Sequence, residues 1–477
     1  MVLTVLILLS SCAMDDVEYT GQVLENVQSD SIGATTNITL PTIIPDIVTD
    51  INNPPILTTQ LPQTTPYVPV TTPGNSGCTV IQPVTQMPED GIIETAEQLH
   101  AVLVNGDSGK NYTVVAKELD MSKYRWNGMI DYRGTFDFGG CVIKNAQYSL
   151  FISVKGGTIK NLVIAESNYH YKDDDAQIDI NPKTNQMGNL HYSPVVRYAK
   201  DITISNVTVQ SSVTVCSEIW IDNSSAGGIV GFAEGNRIVI ENCHFAGEII
   251  TDSLTTVPGG IAGKINSNSE ASVSLDDPAT SLVRIMGCSN TGVVRNLGIG
   301  YESKVGGIVG WINNGSIIDC GNYGDVISND MGQTAGIVGY VSGVAYVKNC
   351  INTASVSGAM YVGGICGYSN GGVRYFENCI NLGSITTDPN RGYVGGIIGL
   401  IKNNINLINC FNLKVNCEKF AGHAVTGVVD PANSLTYGEA NIINCANLSY
   451  VEDILNAVKA VSPEVFKMAQ NGLLELA

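Results

Sequence analysis

A repeated motif of about 30 residues constrains the fold of this chain more than any other feature of its sequence. Each unit opens with Gly-Gly or Ala-Gly and an isoleucine, and it continues to a cysteine. The second glycines are Gly228, Gly260, Gly307, Gly336, Gly364 and Gly396. The matching cysteines are Cys243, Cys288, Cys320, Cys350, Cys379 and Cys410. Short apolar runs at this period predict units that stack, because one unit alone cannot bury its apolar face.

Within each unit the pattern predicts short parallel strands with the cysteine facing inward as a small apolar residue. The glycines are expected to permit tight turns or close approach of stacked backbones. Asparagine two residues after the cysteine, at 290, 322, 352, 381, 412 and 447, is expected to bond backbone groups of the adjacent unit. The spacing is interrupted once, so we expect a loop from about Asn266 to Ser281. A degenerate seventh unit contains Cys445 and Asn447.

The composition agrees with an all-β repeat protein. Charged residues make up 14% of the 477 residues, whereas there are 51 glycines. A helical array of this length would contain far more Glu, Lys and Ala. The predicted fold class is therefore all-β, a parallel β-solenoid or β-helix with short capping helices.

The units resemble the GLUG-motif repeat through Gly228-Ile-Val-Gly231, Gly307-Ile-Val-Gly310 and Gly396-Ile-Ile-Gly399. Leu119-Asp-Met121 and Phe136-Asp-Phe-Gly-Gly140 extend the resemblance to most of residues 92–447. This resemblance implies an adhesin-like bacterial surface protein. The same repeat accompanies some immunoglobulin-cleaving metallopeptidases, but the sequence has no His-Glu-x-x-His motif for such chemistry.

The N-terminus suggests a lipid anchor. An apolar run ends in Leu9-Ser10-Ser11-Cys12, which resembles a bacterial lipobox, although no basic residue precedes it. The resemblance implies a signal peptide over residues 1–12, lipidation of Cys12 and attachment to the outer membrane or cell surface. Residues 13–77 are rich in Thr and Pro and are interpreted as a disordered stalk.

Residues 78–226 are predicted to form a cap helix and irregular β units. Thr95 and Gln98 form a capping box at the start of that helix. A polar insertion spans 167–200, and its tyrosines are candidates for stacking on sugar rings. These candidates are Tyr169, Tyr171, Tyr192 and Tyr198. Asp173, Asp175 and Asp179 are candidates for a weak calcium site; a surface loop without a ligand is the alternative. The repeats span 227–447, and a helical cap is expected over 448–477.

The net charge of −19 argues against nucleic acid as a partner. The cysteines are interpreted as buried thiols, with occasional disulfides left open, and no cofactor or other metal site is expected. A non-catalytic surface protein is therefore predicted, with adhesion, ligand-binding or structural roles and host glycans or matrix proteins as potential ligands. The alternative is a carbohydrate-active β-helix enzyme, a polysaccharide lyase or glycosidase, with carboxylates along one face.

Overall fold

The structure is a computed structural model that describes residues 87–171, 191–218, 224–387, 392–402, 405–413 and 440–450, with short segments between 453 and 476. Within these residues the fold is all-β with parallel, stacked sheets and one α-helix longer than a single turn, α1 (Ala96–Asn105). The predicted capping box is present: Thr95 Oγ1 accepts from the backbone N–H of Gln98 at 3.2 Å. Leu99, Val102 and Leu103 of α1 are buried in the main core. None of the helices in the described residues is long and apolar enough to span a bilayer.

The first sheet has 24 described strands. Seven precede the repeats: β1 (Ile92–Ile93), β2 (Tyr112–Val114), β3 (Glu118–Asp120), β4 (Thr135–Lys144), β5 (Phe151–Lys155), β6 (Thr158–Ala165) and β9 (Val196–Val209). The others are β12 (Val230–Glu241), β13 (His244–Phe245), β16 (Ala262–Asn266), β17 (Val283–Met286), β18 (Ser289–Asn290), β21 (Val309–Ile318), β22 (Gly321–Asn322), β25 (Val338–Lys348), β26 (Ile351–Asn352), β29 (Cys366–Ser369), β30 (Arg374–Glu377), β31 (Ile380–Asn381), β34 (Ile398–Ile401), β35 (Ile405–Ile408), β36 (Phe411–Leu413), β37 (Ala440–Ile443) and β38 (Ala446–Leu448).

Two further sheets have seven described strands each. The second sheet contains β7 (Asn168–Tyr171), β10 (Thr214–Ser217), β14 (Glu248–Thr251), β19 (Val293–Asn296), β23 (Val326–Ser328), β27 (Val356–Ser357) and β32 (Ile385–Thr386). The third contains β8 (His191–Tyr192), β11 (Ser224–Gly227), β15 (Thr256–Gly259), β20 (Lys304–Gly306), β24 (Gln333–Ala335), β28 (Tyr361–Gly363) and β33 (Tyr393–Gly395). Equivalent strands of successive units pair in parallel, so equivalent residues form rows across the units.

The asparagine two residues after the cysteine forms a row that is buried from Asn290 to Asn412. Asn322 Nδ2 donates to Asn352 Oδ1, and Asn352 Nδ2 donates to Asn381 Oδ1, each at 2.8 Å. The same amide of Asn352 also donates to the carbonyl of Ala354 at 3.0 Å. The predicted partner was therefore wrong: the amide bonds the side chain of the adjacent unit and a backbone carbonyl of its own unit.

The asparagine row explains the second glycine of the units that contain Gly260, Gly307, Gly336 and Gly364. A Cβ at Gly336 would lie 2.2 Å from Cγ of Asn352 and 2.4 Å from the carbonyl oxygen of Gly364. Both distances are far below van der Waals contact. Glycine is required here because the row and the neighbouring backbone fill the space, which confirms the expected close approach.

The cysteines form a second row in the core. Cys243, Cys288, Cys320, Cys350, Cys379 and Cys410 are buried, and the described cysteines form no disulfide. The residue before each of these cysteines has a positive φ, in the left-handed region of backbone conformation. Examples are Asn349 with φ of 54° and Asn378 with φ of 53°. Asparagine is tolerated in that conformation better than other side chains.

The described parts of the two predicted insertions belong to the sheets or pack on them. In the first, Asn168–Tyr171 is β7 and His191–Tyr192 is β8, so both flanks belong to the sheets, and residues 172–190 lie outside the described residues. In the second, two 3-10 turns, Glu270–Ser272 and Pro278–Thr280, pack on the sheet rather than project from it. In the first insertion, side chains of Asn168–Tyr171 alternate between outward and inward positions, as the side chains of a β-strand do.

The predicted helical cap over 448–477 is partly wrong. Residues 453–454 and 456–458 are helical, but β39 (Phe466–Met468) pairs antiparallel with β40 (Leu474–Leu476). Phe466 packs with Ile454 and Val458 in a separate core cluster. The sequence between the strands contains Asn471-Gly472, a hairpin signal that outweighs the Ser-Pro-Glu helix start.

Candidate binding surface

An outward-facing row of mostly aromatic residues crosses the first sheet. We call it the aromatic row, and its members are Tyr198, Phe232, Lys264, Trp311, Tyr340 and Tyr368. Phe232 is largely buried, and the other five are half-buried. A row of large rings at the protein surface is unusual, since outward positions of a sheet normally carry polar residues.

The third sheet supplies a flanking row beside the aromatic row. Its members in contact with that row include His191, Lys304 and Tyr361, and Tyr393 stacks on Tyr361. The ring centroids of Tyr361 and Tyr368 are 5.5 Å apart, and those of His191 and Phe232 are 4.8 Å apart. The two rows therefore form one continuous surface across the units.

Two lysines are placed against the centre of this surface. Lys264 Nζ lies 3.9 Å from the Trp311 ring centroid, and Lys304 Nζ lies 5.5 Å from it. Lys304 Nζ is also 5.7 Å from the ring centroid of Tyr340. Cation–π contacts hold both ammonium groups at this position, so the region around Trp311 is locally positive in a protein of net charge −19.

A polar row runs along the other side of the aromatic row. Its members are Glu234, Asn266, Asn313, Ser342 and Asn370. Asn313 Nδ2 donates to Asn266 Oδ1 at 3.0 Å, and the Ser342 hydroxyl donates to Asn313 Oδ1 at 3.1 Å. Trp311 Nε1 donates to Ser342 Oγ at 2.8 Å, which fixes the indole relative to the amides. Half-buried amides beside rings offer donors and acceptors for a ligand rich in hydroxyls.

Glycines bring the two sheets together beneath these rows. A Cβ at Gly310 would lie 2.7 Å from the carbonyl oxygens of both Lys304 and Gly263. The residue immediately before Trp311 must therefore be small. This third glycine of the motif allows the third sheet to lie close to the first, which brings Lys304 within reach of Trp311.

Burial changes the protonation of several groups here. Burial and the positive charge of Lys264 lower the pKa of His191 to about 3, so its imidazole is neutral near pH 7. Its Nδ1 lies 2.8 Å from Ser225 Oγ. Burial raises the pKa of Tyr198, whose hydroxyl donates to Glu234 Oε1 at 2.5 Å. Burial, followed by the neighbouring Tyr393, raises the pKa of Tyr361. The raised pKa values keep Tyr198 and Tyr361 neutral at physiological pH.

The tyrosines proposed from the sequence fall in two different places. Tyr169 and Tyr192 are 0% exposed and Tyr171 is 7% exposed, so their rings pack in the core and cannot stack on a sugar. Their positions in β7 and β8 point inward because of strand alternation. Tyr198 is a member of the aromatic row. The candidate calcium ligands Asp173, Asp175 and Asp179, and the lipidation candidate Cys12, lie outside the described residues.

Sequence reasoning missed most of the aromatic row, although a signal was present. The residue after the third glycine of the motif is Phe232, Lys264, Trp311, Tyr340, Tyr368 and Leu400 in successive units. Reading that position down the repeats would have identified the row. The same reading would have found part of the flanking row, since Lys304, Tyr361 and Tyr393 each lie three residues before the second glycine of their unit.

No protein-family model and no curated protein matches the chain. Among solved structures, the chain is similar to a protein from Bacteroides ovatus described as a putative immunoglobulin A1 protease, with 18% identity and a TM-score of 0.38. That similarity covers 81% of this chain and 91% of the other.

Proposed function

We propose that the stacked parallel sheets form a β-solenoid and that the chain is a non-catalytic, cell-surface glycan-binding protein. In this proposal Cys12 carries a lipid anchor, and the aromatic row with its flanking and polar rows is the ligand-binding face. The observation that carries the proposal is the in-register row of half-buried rings flanked by amides on an outer face. Aromatic rings and amides together suit a sugar, which has apolar faces and a rim of hydroxyls.

The charge distribution favours an acidic glycan. Lys264 and Lys304 converge on Trp311 from neighbouring units. A carboxylate or sulfate on a sugar ring next to Trp311 would meet both ammonium groups. Binding should therefore weaken as salt rises, because salt screens the attraction between exposed charges.

The test is binding of the full chain to a glycan array that includes uronic acid-containing and sulfated glycans. Saturable binding is expected, and the double variant Trp311→Ala and Tyr340→Ala should weaken it about thirtyfold, since each ring contributes about 1 kcal/mol. The matched control is the double variant Tyr346→Ala and Tyr375→Ala, a stacked pair 5.2 Å apart in neighbouring units that packs against Val273 and lies away from the aromatic row. The control should bind like the unchanged chain.

Three outcomes would count against this function. Equal loss of binding in both double variants would mean that Trp311 and Tyr340 affect binding only by stabilising the fold. Absence of saturable binding to any glycan would overturn the ligand class. Cleavage of arrayed polysaccharides would favour the carbohydrate-active enzyme instead.

A further inference from the structure

Three potential metal ligands of different chemistry converge on the outer face of the second sheet. His170 lies in β7, and Cys216 lies directly opposite it in β10. Glu218 follows β10 two residues after Cys216, so strand alternation places its side chain on the same face. The backbone N–H of Glu218 donates to the carbonyl of Tyr171 at 3.0 Å, which continues the pairing beyond the strand. The ligand atoms of the three side chains all lie within 4.8 Å of one another.

The histidine nitrogen at this place lacks a hydrogen bond. His170 Nε2 is shielded from water and has no hydrogen-bond partner among the described residues. It nevertheless lies 3.2 Å from Glu218 Oε1, so the contact has the distance of an ion pair without the alignment of a hydrogen bond. A buried polar atom without a partner is costly, so such an atom in a native fold calls for an explanation.

The distances fit a bound ion. A tetrahedral metal with nitrogen and oxygen ligands at about 2.0–2.1 Å holds those two atoms about 3.3 Å apart. The observed separation of Nε2 and Oε1 is 3.2 Å. A thiolate sulfur bonds zinc at about 2.3 Å and therefore lies somewhat further from the other ligands. All three ligand atoms already lie within 4.8 Å of one another, so they need to approach only slightly to surround an ion.

We propose that His170, Cys216 and Glu218 form a site for a divalent transition metal, with zinc as the best match. Imidazole, thiolate and carboxylate together suit borderline-soft ions such as zinc rather than calcium or magnesium, which prefer oxygen ligands alone. Three protein ligands leave one coordination position for water. Binding displaces the thiol proton of Cys216, so affinity rises with pH. The site is independent of the proposed glycan-binding surface.

The experiment titrates the full chain, reduced and free of metal, with cobalt(II), and then displaces the cobalt with zinc. A thiolate ligand to cobalt produces a charge-transfer band in the near ultraviolet together with visible bands of a tetrahedral ion. We expect these bands to saturate at one equivalent and to disappear when zinc is added. Zinc bound per chain is measured in parallel by competition with a chromophoric chelator.

Variants separate this site from the other cysteines. Cys216→Ser should abolish the charge-transfer band, and His170→Gln should weaken binding by at least about tenfold. The matched control is Cys445→Ser, which removes a similarly half-buried thiol elsewhere and should leave the titration unchanged. Circular dichroism of each variant establishes that the fold is retained. The site is overturned if the unchanged chain shows no saturable band, or if the band survives in Cys216→Ser.

Discussion

Asn352 illustrates how single residues hold successive units together. It accepts a hydrogen bond from Asn322 and donates to Asn381 and Ala354 while its side chain is completely buried. Each amide in this row is thus both donor and acceptor, and its orientation is fixed by its neighbours. Chains of such bonds strengthen one another in a low-dielectric interior.

Removing Asn352 should be costly. Asn352→Ala leaves one donor of Asn322 and the acceptor of Asn381 buried without their partner, so we expect the free energy of unfolding to fall by about 2–4 kcal/mol. The measurement is the shift of the urea midpoint. Asn447→Ala is the control, because Asn447 is half-buried and takes part in one such bond, from Asn412 at 2.8 Å. Equal shifts in the two variants would refute the importance of burial in the row.

His191 makes stability depend on pH. Its pKa is lowered to about 3 in the folded protein from the ordinary value of 6.5. Between these values the unfolded chain binds a proton that the folded protein does not, so stability rises with pH through this window and is complete above about 6.5.

The contribution of His191 to the pH dependence of stability is measured by comparing the unchanged protein with the variant His191→Asn, which keeps a polar group near Ser225. From pH 6.5 to pH 4.5 the unchanged protein should lose more thermal stability than the variant, by at most about 1.4 kcal/mol per pH unit. The measurement is the melting temperature at each pH. Parallel pH profiles of the two proteins would contradict the assignment.

At the scale of elements, the insertion between β16 and β17 is part of the packed structure. Val273 contacts a small cluster with Val344 and Tyr346, which belong to β25. Ser281 Oγ lies 2.8 Å from Ser316 Oγ in β21. The segment therefore covers an outer face of the two units that follow it.

We expect Val273→Asp to release this segment, because it places a charge in an apolar contact that is 9% exposed. Limited proteolysis within residues 267–282 should become at least about tenfold faster, which corresponds to 1.4 kcal/mol of local opening. Leu275→Asp is the control, since Leu275 is 39% exposed. Similar cleavage of both variants would show that Val273 does not anchor the segment.

The elements also mark the limits of sequence-based prediction. Strands of the repeats, α1 and the inward cysteines were predictable, because periodicity and capping act locally. The packing of Val273 on β25 was not, since its partners belong to later units and no spacing encodes them. The inward direction of Tyr169 was missed for a related reason: a polar stretch concealed a four-residue strand, Asn168–Tyr171.

On the scale of the whole molecule, equivalent residues repeat along the sheets while the outer rows change gradually. The asparagine and cysteine rows are uniform, whereas the aromatic row passes from Tyr198 through Lys264 to Tyr368. Uniform inner rows specify stacking, and varied outer rows specify what the surface contacts. The candidate surface was therefore only partly predictable, because its members are joined by register rather than by sequence proximity.

The asparagine row has an evolutionary consequence. Loss of residues 336–363 would remove one unit and place Asn322 beside Asn381, where the same amide donor meets the same kind of acceptor. Recombination between neighbouring repeats in the gene can thus shorten or lengthen the protein without inventing a new interface. Length becomes a heritable variable that selection can adjust in steps of one repeat, because each step preserves the bonds of the asparagine row.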